Sequence, residues 1–256
     1  MFGVNRLRLI LSIWLAVTDP SWGQDVGKDL FHKMQLALGG EERIAAIRDF
    51  EEIVNAETFA PAGQSLGFVQ KRTRWIAPNH LRIDQIGPGD TYVLYFDGTS
   101  GWEILPDRTS QGKTAGGEIE LVGDELKFAR QYLSGFIFKK WLADRQPGYS
   151  VSSPANNVVL ITDDDGHRTD VTLDPRTWLP LAESSPRIDV SKPPSTEMRI
   201  GGWTRVKGVQ FPVARANYHD GARLAAMTAE RIRVNSGLKV ESLQAKPPDS
   251  LPRMVD

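Results

Sequence analysis

The chain has 256 residues, with 31 Lys and Arg against 32 Asp and Glu, and it contains no cysteine. The missing cysteine excludes a disulfide framework, a thiolate metal site and a lipid attached to a cysteine behind an export signal. The balanced charge argues against a nucleic-acid partner, which asks for a clearly basic face.

Residues 1–23 read as a cleavable export signal: Arg6 and Arg8, an apolar run from Leu9 to Val17, then Pro20, Ser21 and Gly23 ahead of Gln24. The run is about half the ~20 residues that a membrane-spanning helix needs. The mature chain is therefore expected in the periplasm, with no lipid anchor. What remains suits one large domain over 24–245, since all-β domains run to about 200–250 residues. A tail over 246–256, rich in proline, would follow it.

Helical spacing comes first. Leu30, Met34, Ala37 and Leu38 recur every three or four residues, Gly39-Gly40 stops the helix, and Ile44, Ala45 and Ile47 make a second short turn. From Phe50 the period becomes two: Leu81 and Ile83 alternate with Arg82 and Asp84, and Tyr92, Leu94 and Phe96 share a face. Pro61-Ala62-Gly63, Pro78-Asn79, Gly87-Pro88-Gly89-Asp90 and Asp97-Gly98 punctuate these runs as hairpin turns. After a low-complexity loop, Gln111–Gly117, helical spacing returns in Asp124–Asp144, with a break expected near Ser134-Gly135 because glycine costs about 1 kcal/mol inside a helix. Strands resume as 149–152, 157–162, 167–173, 179–187, 196–206, 211–219 and 222–234. Asp163-Asp164-Asp165-Gly166 and His219-Asp220-Gly221 supply Asp-Gly hairpin turns.

Catalytic motifs are weak. Gly63-Gln64-Ser65-Leu66-Gly67 has the letters of a nucleophile elbow, but Phe68–Trp75 after it reads as a strand, where an elbow needs a helix. His32, His80, His167 and His219 lack metal-ligand spacing, and the glycine of the Asp163–Asp165 turn follows too soon for a calcium loop. The reading is of a protein with no catalytic residue, no metal and no cofactor.

The segments Phe68-Val69-Gln70-Lys71-Arg72-Thr73-Arg74-Trp75-Ile76-Ala77-Pro78-Asn79-His80-Leu81-Arg82-Ile83 and Phe96-Asp97-Gly98-Thr99-Ser100-Gly101-Trp102 resemble the bacterial lipoprotein-carrier family (LolA/LolB-like). In that family a strand ending in Pro, an Arg-bearing strand, an Asp-Gly turn and a Trp recur in this order. Leu173-Asp174-Pro175, Leu179-Pro180-Leu181 and Gly208-Val209-Gln210-Phe211-Pro212 resemble its envelope relatives. The resemblance implies a mainly β (α+β) protein: a single curled antiparallel sheet forming a half-open β-barrel, with the N-terminal and mid-chain helices as plug or lid.

It also implies an apolar cavity that takes lipid or lipoprotein acyl chains. Its candidate lining is Phe68, Leu81, Ile83, Leu94, Phe96, Trp102, Phe136 and Phe211. Apolar alternation equally suits a filled core, so an envelope protein-interaction module with a solid interior is the rival reading, and a hydrolase using Ser65 or carboxylates in the sheet mouth stands third.

Overall fold

The computed structural model describes residues 21–87, 91–105, 117–185 and 194–246. The apolar run read as part of an export signal, the loop segment 111–116 and nearly all of the expected tail lie outside the described residues. Helix α1 (Ser21–Leu38) ends at Gly39-Gly40, and α2 (Glu41–Ala45) follows as a single turn. Six strands then run as hairpins: β1 (Asp49–Phe59), β2 (Ser65–Ile76), β3 (His80–Ile86), β4 (Thr91–Phe96), β5 (Gly101–Leu105) and β6 (Gly117–Glu120). Helices α3 (Gly123–Ser134) and α4 (Ile137–Trp141) interrupt the strands. Gly135 caps α3 and Phe136 turns extended ahead of α4, so the chain breaks where the glycine is.

Seven more strands follow: β7 (Ser150–Ala155), β8 (Val158–Thr162), β9 (Arg168–Leu173), β10 (Pro180–Ser184), β11 (Thr196–Val206), β12 (Val209–His219) and β13 (Ala222–Val234), before a last short helix, α5 (Val240–Gln244). All thirteen form one antiparallel sheet in the order β6-β5-β4-β3-β2-β1-β13-β12-β11-β10-β9-β8-β7. The order is two meanders joined along β1 and β13, with β6 and β7 as free edges. The sheet curls without closing, and α3 and α4 carry the chain across from one edge to the other.

The β1–β13 seam is held beyond its ladder. Asn235 Oδ1 accepts from the Arg48 amide at 2.6 Å, and its Nδ2 donates to Ala46 O at 3.1 Å. Asp49 accepts from the Ser236 and Gly237 amides at 2.7 and 2.9 Å. Burial alone would raise the Asp49 pKa, but these donors hold it below the ordinary carboxylate value. On the concave side, α1 lies along β7, close enough that a Cβ on Gly27 would sit 2.5 Å from Ser152 Cα.

The convex side carries a polar layer that alternation alone assigns to solvent. Arg74, Arg82 and Asp84 point outward from β2 and β3 yet are buried, because α5 lies over them. Asp84 receives Arg74 Nη2 at 2.7 Å and Arg82 Nε at 2.9 Å. Arg74 and Arg82 also donate to Ser242 O and Leu243 O, while Leu243 is fully buried. The C-terminal carbonyls of α5 thus end on two guanidinium groups, where the helix dipole favours cations. Replacing Asp84 with Ala leaves both guanidiniums without their carboxylate. The expected cost is about 3–5 kcal/mol in urea unfolding, the range for removing one partner of a buried ion pair.

Candidate functional site

The ladder registers sort the concave face into rows across the sheet. Val234, Phe50, Trp75, Leu81 and Phe96 form the first, and Ile232, Glu52, Thr73, Ile83, Leu94 and Glu103 the second. Ala229, Val54, Lys71, Gln85 and Tyr92 come next. Beyond them lie Ile200, Arg215, Met227, Ala56 and Val69.

Helix α4 fills the concave face over the first row. Phe136, Phe138 and Trp141 meet Phe50, Trp75 and Phe211 in an aromatic cluster with ring centroids 4.9–6.2 Å apart. Such edge-on and tilted pairs add about 0.5–1.5 kcal/mol each beyond the area they bury. Lys140 of the same helix forms a buried ion pair with Glu183 on β10. Gln35 of α1 donates to Trp141 O and to Asp144 Oδ1, both at 3.0 Å. The plug is therefore fixed to the sheet by a charge pair and to α1 by an amide.

The second and third rows are partly polar. Arg215 Nη2 donates to Glu52 at 2.6 Å, Tyr92 Oη donates to Glu103 at 3.0 Å, and Lys71 Nζ reaches Tyr132 Oη of α3 at 2.8 Å. Burial raises the Glu103 carboxyl above the ordinary glutamate value; the Tyr92 hydrogen bond opposes the shift and nearby Glu125 adds to it. Past α3 the face is apolar again and half-open. Ile200, Met227 and Val69 are half-buried around the Arg215 stem, with Ala56 buried at the floor. This trough occupies the end of the long strands β1, β2 and β11–β13.

The expected lining residues separate into two groups. Leu81, Ile83, Leu94, Phe96, Phe136 and Phe211 come together on the concave side, in a core packed by the plug and its surroundings. Phe68 and Trp102 do not join them, which corrects the inward assignment of both. Phe68 is 61% exposed: it pairs with Glu57 on the convex face, opposite in parity to Trp75. Trp102 pairs with Tyr95, also convex, and lies under the Arg82 guanidinium. Ile200, Met227, Val69 and Arg215 were absent from the expected lining, although their spacing in strands of period two carries the signal.

Gly63–Gly67 is a hairpin tip, with Ser65 beginning β2 rather than preceding a helix. The Asp163–Gly166 segment is likewise a turn, in which Asp163 accepts from the Asp165 and His167 amides. Among the described residues, no cluster of three or more His, Asp or Glu is placed to hold a metal, and no helix is long and apolar enough to cross a membrane.

Such a sheet, curled around helices and left open along one side, defines the class of incomplete β-barrels. Within that class the fold is LolA-like. A DUF1329 family protein from Desulfovibrio piger superposes with a TM-score of 0.56 at 13% identity, covering 86% of this chain and 97% of that one. A LolA superfamily protein from Nitrosomonas europaea gives 0.54 at 12% identity, with the same coverages. The resemblance read from residues 68–83 and 96–102 thus holds at the level of fold. No family model matches the chain. A stretch of 98 residues, 38% of this chain, is 33% identical to part of the S-adenosylmethionine:tRNA ribosyltransferase-isomerase of Acidithiobacillus ferrooxidans. The match spans about a quarter of that protein's length, 26%, and brings no activity with it.

Two outcomes follow from the charges around the plug. Lys140→Ala strands the buried Glu183 and should cost about 3–5 kcal/mol, whereas Lys140→Met with Glu183→Leu should recover most of that loss in the same urea titration. Glu103→Gln keeps an acceptor for Tyr92 but removes the penalty of a buried charge. The folded-state pKa of Glu103 is raised, so the native protein holds its proton more tightly than the unfolded chain does. Wild type is then handicapped above that pKa and relieved as pH falls through it. The variant should melt higher than wild type at pH 7, with the gap closing on acidification; an unchanged gap at low pH would contradict this assignment.

Proposed function

We propose that this protein is a non-catalytic periplasmic carrier or holder of an apolar ligand carrying acyl chains, exported by cleavage after Gly23. The observation that supports it best is the half-open apolar trough of Ile200, Met227, Ala56 and Val69, continuous with the plugged core behind α3. The trough is only half-covered, and burying acyl chains there would return about 25 cal/mol per Å² of apolar area. Helices α3 and α4 are the natural lid: their movement away from the first row would extend the trough to Leu81, Ile83, Leu94, Phe96 and Phe211. The LolA-like fold supports the same reading by analogy alone.

A second reading is favoured by the aromatic cluster, which fills the deep half of the barrel completely enough to serve as an ordinary core. On that reading the protein is an envelope interaction module and the trough receives a protein segment.

Lipid extraction and mass spectrometry on residues 24–256, purified from a bacterial periplasm without detergent, separates the two. The carrier reading expects phospholipid or lipopeptide near one per chain, and loss of most of it in Met227→Asp with Val69→Asp. A ligand-free, thermally stable protein would sink the carrier and favour the interaction module.

A further inference from the structure

At the opposite end of the barrel from the trough lies a cavity of about 380 Å³ between the α3–α4 segment, the turns at Asn79 and Gly98, and the β8–β9 turn. Its volume falls within the range of small-molecule sites, but its lining is charged. Half-buried Lys139 and exposed Arg130 stand on the helical wall, and Asp164 and Asp165, both exposed, on the turn facing it at the cavity mouth. Among the described residues neither Arg130 nor Lys139 makes a hydrogen bond or ion pair, although Lys139 is half-buried. Burial lowers the Lys139 pKa, and Asp164 is near enough to oppose that shift without pairing with it. Two charges of opposite sign facing one cavity without closing on each other leave room for a group between them.

Two turns of the lining are closely packed. A Cβ on Gly148 would sit 2.8 Å from Asp164 Cβ, and one on Gly98 would sit 2.7 Å from Asn79 Cβ, so both turns pack against lining residues through positive-φ glycines. Tyr149 Oη donates to Ser134 O at 3.0 Å, which ties the cavity floor to the end of α3. Its phenol, pushed up to about 12 by burial, stays neutral.

We propose that this cavity binds a phosphoethanolamine-type zwitterion, its phosphate held by Arg130 and Lys139 and its ammonium by Asp164 and Asp165. A guanidinium and an ammonium together match the charge and oxygen geometry of a phosphate better than that of a single carboxylate. The opposed pair of carboxylates selects for a primary amine at the other end. The group could be free in solution or the headgroup of a phospholipid.

The test is calorimetric titration of the mature chain with O-phosphoethanolamine, alongside inorganic phosphate and ethanolamine separately. Phosphoethanolamine should bind about tenfold or more tightly than either half, and about tenfold more weakly to Lys139→Met and to Asp164→Asn with Asp165→Asn. In wild type, the Lys139 ammonium followed by NMR should titrate at higher pH once the ligand is bound, a readout that fold stability alone does not move. No binding heat, an unmoved Lys139 titration, or phosphate binding as tightly as phosphoethanolamine would overturn the site. Flotation with phosphatidylethanolamine vesicles, against phosphatidylcholine vesicles, then identifies the source: retention specific to the former marks the lipid headgroup, and binding of the soluble compound without retention marks the free zwitterion. This cavity and the trough are read by different observables, so either can fail alone.

Discussion

The pairing of β1 with β13 is the constraint on which the rest depends. Every other neighbouring pair among the described strands is also adjacent in the chain, so each hairpin forms locally. The seam instead joins residues about 180 positions apart, Phe50 opposite Val234, and its loop-closure entropy is recovered only by what it buries. It recovers much. Phe50 and Val234 both enter the aromatic core, while Asp49 and Asn235 satisfy the backbone groups where the two strands leave the ladder. Without the seam there would be two flat meanders, each with an apolar face open to water. With it there is one curved sheet whose concave side can enclose helices.

Much of this was legible in the sequence, for a local reason. Hairpins announce themselves by period two and by Gly, Pro and Asp at the turns, so most strands and the break of the mid-chain helix at Gly135 stand where those residues place them. What was not legible was short or non-local. β6 has four residues and α5 five, too few for a period to register. The convex Arg74, Arg82 and Asp84 read as solvent-facing because their burial depends on α5, which arrives from the far end of the chain.

The site was legible only in part, and the misplacement of Phe68 shows why. Period two divides residues between two faces but does not say which face is concave. Phe68 sits one position out of phase with Trp75, and a large apolar side chain at a strand end drew the inward assignment by its type. Glu52 and Glu103 are polar by type yet point inward, because the concave face changes character along its length. The unassisted signal gives face membership. It does not give depth, since depth is set by how far α3 and α4 reach over the rows.

That reach divides the barrel interior into regions of different chemistry. Over the first row the plug is apolar and closely packed, and it is pinned by Lys140 and Glu183. Under α3 the interior polar groups pair among themselves, and α3 rests on them through the part-buried Lys71–Tyr132 hydrogen bond and on the core through the buried Ala129 and Leu133. The helical segment is therefore held by polar contacts toward the trough and by apolar packing and the Lys140–Glu183 pair toward the core. If the segment acts as the lid of the proposed carrier, the break at Gly135, where the main chain already leaves helical geometry, is its hinge. On the carrier reading, apolar material entering from the trough would meet the polar pairs under α3 first and the aromatic cluster last, so the depth of entry would be set by how much of the plug the incoming chains can outcompete.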